Sequence, residues 1–186
     1  MTDLRIAIVL GSTRPNRNGE DVAEWVLAQA AQREAVYELV DIADYDLPLL
    51  DEPVPPSAGN YQEEHTKRWA GVIAPYDAYV FVTPEYNRST SGALKNAVDY
   101  LYAEWNDKAI AFVGYGSIGG ARAIEHLRGM AAELQMADVR QQLNFLLATD
   151  FEDLTRFTPA EHHAPLAVTM FEQLERWARA LKPLRG

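Results

Sequence analysis

The sequence predicts an α/β domain in which a parallel sheet carries helices on both faces, the doubly wound arrangement. Two observations lead to this fold class. Short apolar runs alternate with helical stripes from residue 4 to residue 181, and such alternation favours right-handed crossovers between parallel strands. The runs are also nearly continuous in apolar character, which is typical of strands buried on both faces.

The strands and helices can be assigned in order along the chain. Residues 4–10 read Leu-Arg-Ile-Ala-Ile-Val-Leu and stop at Gly11, which indicates a first strand. A helix is expected from Gly19, since Glu20 and Asp21 suit the positive end of a helix dipole. Further strands are predicted at residues 36–42, 78–83, 109–113 and 139–145, and further helices at residues 65–76, 91–102, 121–134 and 167–181.

The chain length and its interruptions predict one domain spanning residues 1–186. A chain of 186 residues fits one core, because domains commonly run to about 200 residues. Residues 43–60 and 148–164 interrupt the alternation with proline-rich or polar sequence. We expect both to be surface excursions, since neither has the composition of a linker.

Composition excludes several classes of function. The chain has 17 Lys and Arg against 27 Asp and Glu, a net charge of −10, which predicts neither a nucleic-acid nor a membrane partner. No apolar run approaches the roughly 18 residues of a membrane span, and the start of the chain lacks signal-peptide character, so we expect a cytoplasmic protein. Without cysteine, thiolate chemistry is excluded and redox chemistry needs a borrowed cofactor.

The loop after the first predicted strand is suited to a phosphate group. Ligands of open α/β sheets lie beyond the carboxyl ends of the strands, and residues 11–19 place hydroxyl, amide and arginine groups there, just before a helix. Ser12 and backbone N–H groups can donate, while Arg14, with Arg17 as a second candidate, can offset charge. The loop lacks the Gly-Lys-Ser/Thr ending of a triphosphate loop, which favours a monophosphate. A solvated loop with helix-capping groups is the alternative.

The loop after the third predicted strand resembles a known family. Residues 84–87 read Pro-Glu-Tyr-Asn, and Gly-Ala-Leu-Lys-Asn-Ala follows at residues 92–97, with Asp-Tyr at 99–100. This pattern, with the opening Gly-Ser-Thr-Arg at residues 11–14, is similar to the signature of the NADPH-dependent FMN reductase family, which includes quinone and azo reductases. The likeness covers roughly residues 5–140. Many relatives carry proline where this chain has Ser91.

The resemblance implies a fold, a cofactor and a reaction. The fold is flavodoxin-like, with five parallel strands in the order 2-1-3-4-5 and helices on both faces. The cofactor is FMN, and NADPH or NADH is the cosubstrate. Hydride passes through FMN to quinones or similar small-molecule acceptors, such as azo compounds, free flavin or metal ions. The flavin carries the chemistry, so no catalytic side chain is expected. Such reductases commonly form homodimers or homotetramers.

The resemblance also assigns residues to the flavin. It implies that Ser12, Arg14 and either Asn18 or Gly19 hold the phosphate. The flavin ring is expected to contact four consecutive residues by backbone and side chain: Pro84, Glu85, Tyr86 and Asn87. Arg88 either meets a nicotinamide nucleotide phosphate or points into water, and the sequence leaves this open.

The loop after the fourth predicted strand is rich in glycine. Residues 114–120 satisfy G-x-G-x-x-G, but the dinucleotide fingerprint belongs after the first strand and needs an acid at the end of the next one. Asp138 instead is predicted at the start of its strand. The resemblance implies that Ser117, Gly119 and Gly120 approach the pyrimidine edge of the flavin, which glycine permits without a side-chain clash.

Other constellations of residues favour structural roles. No Gly-x-Ser-x-Gly elbow occurs, and the four histidines lack metal-ligand spacing, so no metal site is predicted. Trp25, Trp69 and Trp177 lie on helical stripes, which predicts core packing. Trp105 lies off any stripe and is a candidate for a substrate wall or subunit contact. A flavodoxin-type electron carrier and a cofactor-free phosphate-binding module remain alternative functions.

Overall fold

A parallel sheet forms the centre of the computed structural model, which describes residues 4–185. Residues 1–3 and 186, which the single-domain prediction also covers, lie outside the described residues. The strands are β1 (Arg5–Leu10), β2 (Val36–Asp41), β3 (Ala78–Pro84), β4 (Ala109–Gly116), β5 (Ala137–Asp138) and β6 (Leu143–Leu146). They follow the order β2-β1-β3-β4-β5, and β6 also pairs with β4. The predicted order of the five strand positions is confirmed.

The fifth position of the sheet is divided between two short strands. We predicted one strand at residues 139–145, whereas β5 pairs with the beginning of β4 and β6 pairs with its end. The interruption falls on Arg140, Gln141 and Gln142. Here the Gln141 amide N–H donates to Gln173 Oε1 of the last helix at 2.9 Å, not to β4. The edge strand is therefore interrupted where a backbone N–H group bonds to a side chain of α5 and not to β4.

Five helices cover the two faces of the sheet. Alternate residues of β1 face opposite cores, with Ile6 and Ile8 on one side and Ala7 and Val9 on the other. The first and last helices pack on the first face and the other three on the second. The helices are α1 (Gly19–Ala30), α2 (Glu64–Ile73), α3 (Gly92–Asp99), α4 (Ala121–Glu133) and α5 (His163–Leu181).

The segment before α5 is more ordered than predicted. Within the predicted excursion at residues 148–164, β7 (Phe151–Glu152) and β8 (Arg156–Phe157) form an antiparallel pair, and α5 already begins at His163.

Among residues 4–185, no helix has the length and apolar character needed to cross a bilayer.

Two of the tryptophan predictions were wrong. Trp105 is 1% exposed and its Nε1 donates to Val98 O at 3.1 Å, so it belongs to the core and is not a substrate wall. Trp177 is 48% exposed, because the buried stripe of α5 runs through Met170, Leu174 and Ala178, to one side of it. Trp25 and Trp69 do pack against the cores, as predicted.

Candidate functional site

Three turns meet at the carboxyl edge of the sheet, after β1, β3 and β4. Because these strands are neighbours, the turns begin side by side. The Gly11 N–H donates to Val82 O at 2.8 Å, and the Glu85 N–H donates to Tyr115 O at 3.1 Å. The first turn comprises residues 11–19, the second residues 84–91 and the third residues 114–120. This is the arrangement in which a doubly wound fold binds ligands.

The first turn contains one arginine that is free to meet an anion and one that is not. Arg17 forms ion pairs with Asp41 and Glu20 and donates to Ser12 O, so its charge is already compensated. Arg14 is exposed, and within the described part of the chain its guanidinium has no hydrogen bond or ion pair. Ser12 is fully buried, with its Oγ 3.2 Å from Tyr86 Oη of the second turn.

Asn18 and Gly19 differ in what they can contribute. The Asn18 side chain donates to Leu154 O at 2.8 Å and does not cap α1. Gly19 is buried at the first position of α1, where a Cβ would lie 2.6 Å from Tyr115 Oη and 2.8 Å from Leu10 Cδ1. Only glycine brings the start of α1 this close to Tyr115.

Tyr115 belongs to the site although the sequence reasoning did not select it. Its hydroxyl is buried and makes no hydrogen bond of good geometry among residues 4–185, although the Ser12 hydroxyl lies close enough to oppose the rise in its pKa. Burial raises the pKa of the Tyr115 hydroxyl, so it remains protonated and able to donate. A buried donor without an acceptor, beside the positive end of a helix dipole, fits a phosphate oxygen. The signal in the sequence was a single aromatic residue within a glycine-rich turn.

The second turn has the geometry of a tight hairpin. Tyr86 and Ser89 exchange two backbone hydrogen bonds, of 2.9 and 3.0 Å. Asn87 and Arg88 between them have φ angles of 48° and 70°, as in a two-residue type I′ turn. Both side chains are exposed, while Pro84 is buried and Tyr86 is half-buried.

Ser91 has a defined role at the position where many relatives carry proline. Its Oγ accepts from the Leu94 N–H at 3.0 Å and caps α3. The same hydroxyl donates to Gly11 O of the first turn. The substitution therefore leaves the second turn anchored to the first.

Glu85 connects the second turn to the start of α4. Its Oε1 accepts from Arg122 Nε at 2.6 Å, and its Oε2 accepts from the Arg122 backbone N–H at 3.1 Å. The carboxylate side chain is only 6% exposed, against 36% for Arg122. The carboxylate is thus committed to Arg122, a residue that the sequence reasoning missed because it lies 37 positions away.

The third turn depends on glycine at two positions. Gly119 and Gly120 have φ angles of 68° and 70°, in the left-handed region that favours glycine. A Cβ on Gly119 would lie 2.7 Å from Asn144 Cβ, and one on Gly120 would lie 2.7 Å from Gly114 Cα. Ser117 is exposed at the tip. The pattern of glycines therefore serves a tight turn on a central strand.

Comparison with known proteins decides the family. The family model described as NADPH-dependent FMN reductase matches residues 4–150. The chain belongs to the NADPH-dependent FMN reductase family. It is therefore an oxidoreductase that uses FMN, with NAD(P)H as the electron donor, in agreement with the donor groups of the first turn.

Individual relatives of this FMN reductase family extend over most of the chain. An NAD(P)H-dependent FMN reductase of Nectria sp is 41% identical over 156 residues, covering 78% of each chain. A quinone reductase of Pseudomonas putida is 36% identical over 157 residues, covering 80% of this chain and 81% of its own. Among solved structures, the flavoenzyme NAD(P)H:(acceptor) oxidoreductase FerB of Paracoccus denitrificans superposes with a TM-score of 0.72 at 22% identity, covering 95% of this chain and 98% of that one. The last comparison confirms the fold.

The FMN reductase chain brings most of the predicted flavin residues together at one edge of the sheet. Ser12 lies beside Tyr86 and Gly19 lies beside Tyr115, while Glu85 connects its turn to α4. Asn18 is turned toward the segment that contains Leu154. Within residues 4–185, no group of three or more His, Cys, Asp or Glu side chains could hold a metal ion.

Proposed function

We propose that this FMN reductase passes electrons from NAD(P)H to quinones, at a flavin held by the three turns. The proposal is supported by three features at one edge of the sheet: the unpaired hydroxyl of Tyr115, the glycine at the start of α1, and the second and third turns joined through the Glu85–Arg122 ion pair. The named activity of the Pseudomonas putida relative, a quinone reductase, supports this choice of acceptor. When bound, FMN supplies the hydride chemistry.

The phosphate is held, in this proposal, by groups of the first turn and by Tyr115. Tyr115 Oη donates one hydrogen bond, and Ser12 Oγ and the first N–H groups of α1 at Gly19 donate others. Arg14 supplies the positive charge, since Arg17 is already paired with Asp41. Of the two residues that remained open, Gly19 suits this role better than Asn18, whose side chain bonds to Leu154.

The flavin ring lies against the second and third turns in this proposal. Backbone groups of residues 84–87 contact one edge, and Ser117, Gly119 and Gly120 approach the pyrimidine edge. Backbone N–H groups fixed by a tight turn stabilise negative charge on a reduced ring without reorganising. The ion pair of Glu85 with Arg122 keeps the two turns at a fixed separation. No side chain of these turns is required to move a proton.

The acceptor is tested with a panel of substrates. The FMN-loaded enzyme is mixed with NADPH or NADH and a benzoquinone, an azo dye, free FMN or ferric citrate, and cosubstrate oxidation is followed at 340 nm. We expect the highest kcat/KM with the quinone. Oxidation that requires an added electron-transfer protein would instead assign the chain to electron carriers, and a preference for azo dye, free flavin or iron would replace the quinone.

The assembly and location of the enzyme remain part of the proposal. Leu49 is 85% exposed and Leu50 is 42% exposed, on a segment that Asn96 of α3 holds by two hydrogen bonds. Exposed apolar side chains on a segment whose backbone is held in this way suit a homodimer or homotetramer contact. Light scattering of the wild type and of Leu49→Asp tests this, with dissociation expected for the variant. We also propose a cytoplasmic location, which cell fractionation tests.

A further inference from the structure

A groove lies outside the three turns, between the edge strand β6 and the start of α5. Its volume is about 380 Å³. One wall is joined to the flavin-binding edge, because Asn144 Nδ2 donates to Gly119 O at 2.8 Å. The lining residues that matter here are Arg140, Gln142, Asn144, His162, His163 and Leu166.

His163 lines this groove and is held by a buried carboxylate. Its Nε2 lies 2.9 Å from Asp150 Oδ1, and both side chains are at most 5% exposed. Asp150 also accepts from the backbone N–H groups of Leu146 at 2.8 Å and Ala160 at 3.2 Å. Burial opposes ionisation of Asp150, but these N–H groups and His163 outweigh it and lower the pKa of Asp150. The carboxylate is therefore ionised and accepts a hydrogen bond from the N–H group at His163 Nε2.

The other ring nitrogen of His163 is an acceptor without a donor. Burial lowers the pKa of His163, so near neutral pH the ring is neutral. With the proton on Nε2, Nδ1 carries a lone pair. Nδ1 is buried and has no hydrogen-bond partner within the described residues. Buried polar atoms are nearly always paired, so this nitrogen indicates a missing N–H or O–H donor.

The rest of the groove suits a planar, anionic ligand. Arg140 is exposed, and its guanidinium forms no ion pair or hydrogen bond within residues 4–185, which is notable in a chain of net charge −10. The exposed His162 ring lies against His163, with centroids 4.1 Å apart and the ring planes tilted by 37°. Leu166 adds an apolar edge at 37% exposure, and Gln142 and Asn144 add amide groups. A flat ring with an amino group and a nearby phosphate matches these features together.

We propose that this groove binds the adenosine phosphate part of a nucleotide. The adenine amino group donates to His163 Nδ1, the base lies along the His162 ring and Leu166, and a phosphate meets Arg140. Two sources carry this chemistry. One is the adenylate half of NAD(P)H, in which case the inference rests on the proposed function, and the other is a free adenine nucleotide.

Calorimetric titration of the FMN-loaded protein with 5′-AMP tests the groove. Inosine 5′-monophosphate is the matched probe, since it replaces the amino donor with an oxygen acceptor. We expect AMP to bind about tenfold more tightly than the inosine nucleotide, a typical effect of one buried hydrogen bond. Arg140→Ala and Leu166→Trp should each lower the affinity for AMP about tenfold. Arg176→Ala is the control, because it removes an exposed arginine farther along α5 and should leave the affinity for AMP unchanged.

Steady-state kinetics separates the two sources. If the groove takes the adenylate half of the cosubstrate, Arg140→Ala raises KM for NAD(P)H but not for reduced nicotinamide mononucleotide. If it takes a free nucleotide, AMP binding depends on Arg140 while both KM values stay unchanged. Any of three results overturns the inference. The wild type does not bind AMP, it binds the two nucleotides with equal affinity, or Arg140→Ala binds AMP as tightly as the wild type does. A purified protein that takes up no FMN would instead overturn the proposed function, and AMP would then be titrated against the apoprotein to test the groove separately.

Discussion

Gly19 and Tyr115 meet where the first helix starts: a Cβ on Gly19 would lie 2.6 Å from Tyr115 Oη. The contact joins the turn after β1 to the end of β4 across 96 positions of sequence. It places a buried hydroxyl that lacks a partner beside the N-terminus of α1. This pair provides the most direct structural argument for a phosphate at that point.

Gly19→Ala should displace either Tyr115 or α1. The added methyl group would also lie 2.8 Å from Leu10 Cδ1, and overpacking of this kind costs about 1–3 kcal/mol. We expect a lower unfolding free energy and FMN affinity reduced at least tenfold. Gly71→Ala is the control, because a Cβ at Gly71 in α2 has nothing within 4 Å, and alanine there should stabilise the helix by up to about 1 kcal/mol. Unchanged flavin affinity in Gly19→Ala would contradict the phosphate assignment.

Tyr115→Phe should affect stability and flavin binding in opposite directions. Removing an unpaired buried hydroxyl relieves a desolvation penalty of about 1–3 kcal/mol, so the apoprotein should be as stable as the wild type or more so. FMN affinity should fall about tenfold, whereas riboflavin, which lacks the phosphate, should bind as before.

Tyr79→Phe is the matched control for that substitution. The Tyr79 hydroxyl donates to Ile73 O at 2.9 Å, so its removal should destabilise the fold. Equal losses of FMN and riboflavin affinity in Tyr115→Phe would mean that the hydroxyl does not meet the phosphate.

Glu85→Gln should loosen the connection between the second turn and α4. In the ion pair with Arg122, the Glu85 side chain is buried. Charge-assisted hydrogen bonds contribute about 1.5–3 kcal/mol to the free energy of unfolding. We expect a loss of about 1–2 kcal/mol in unfolding free energy and weaker flavin binding or slower reduction. Glu64→Gln, at an exposed pair with Lys67, should change stability little. A limb in the pH-rate profile of the wild type that disappears in Glu85→Gln would show that the carboxylate moves a proton.

Arg88→Gly tests whether Arg88 meets a nicotinamide nucleotide phosphate or points into water, which the sequence leaves open. Arg88 has a φ of 70°, and relieving the left-handed conformation should stabilise the protein by about 0.5–1 kcal/mol. If the arginine meets a phosphate of the nicotinamide nucleotide, KM for the cosubstrate rises, and it rises for NADPH alone where that group is the 2′-phosphate. If it points into water, neither KM changes.

Lys108 should make the free energy of unfolding increase as the pH rises into the alkaline range. Burial, assisted by Arg185, lowers the pKa of Lys108 to about 8, from 10.5. Between these values the unfolded chain binds more protons than the folded one, so stability increases with pH. We expect a gain of roughly 2–3 kcal/mol from pH 8 to 10.5, relative to Lys108→Met. Urea unfolding across this range measures it, and parallel curves for the two proteins would contradict it.

The sequence predicted those parts of the fold that depend on local pattern. The central strands were recognisable because they are buried on both faces, as in β1, whose residues after Arg5 are all buried. The edge strand was placed wrongly, since its interruption depends on a bond from Gln141 to Gln173. Trp177 was misassigned because an apolar stripe about 100° wide does not fix which residues at its margin are buried.

The candidate site was predicted where a motif was contiguous and missed where contacts are distant in sequence. Residues 84–87 were selected from their motif, and the structure adds the partners that fix them. Tyr115 and Arg122 gain their roles only when β4 and α4 pack beside the first two turns. No local sequence pattern predicts the contact between Tyr115 and Gly19.

Titration of the purified apoprotein with FMN tests the central claim most directly. Flavin fluorescence and the visible spectrum are followed together, with circular dichroism to verify that the protein is folded. The account predicts saturable uptake of one FMN per chain, with affinity at least tenfold above that for riboflavin because of the phosphate contacts. A folded protein that takes up no FMN, or that binds riboflavin equally well, would contradict it.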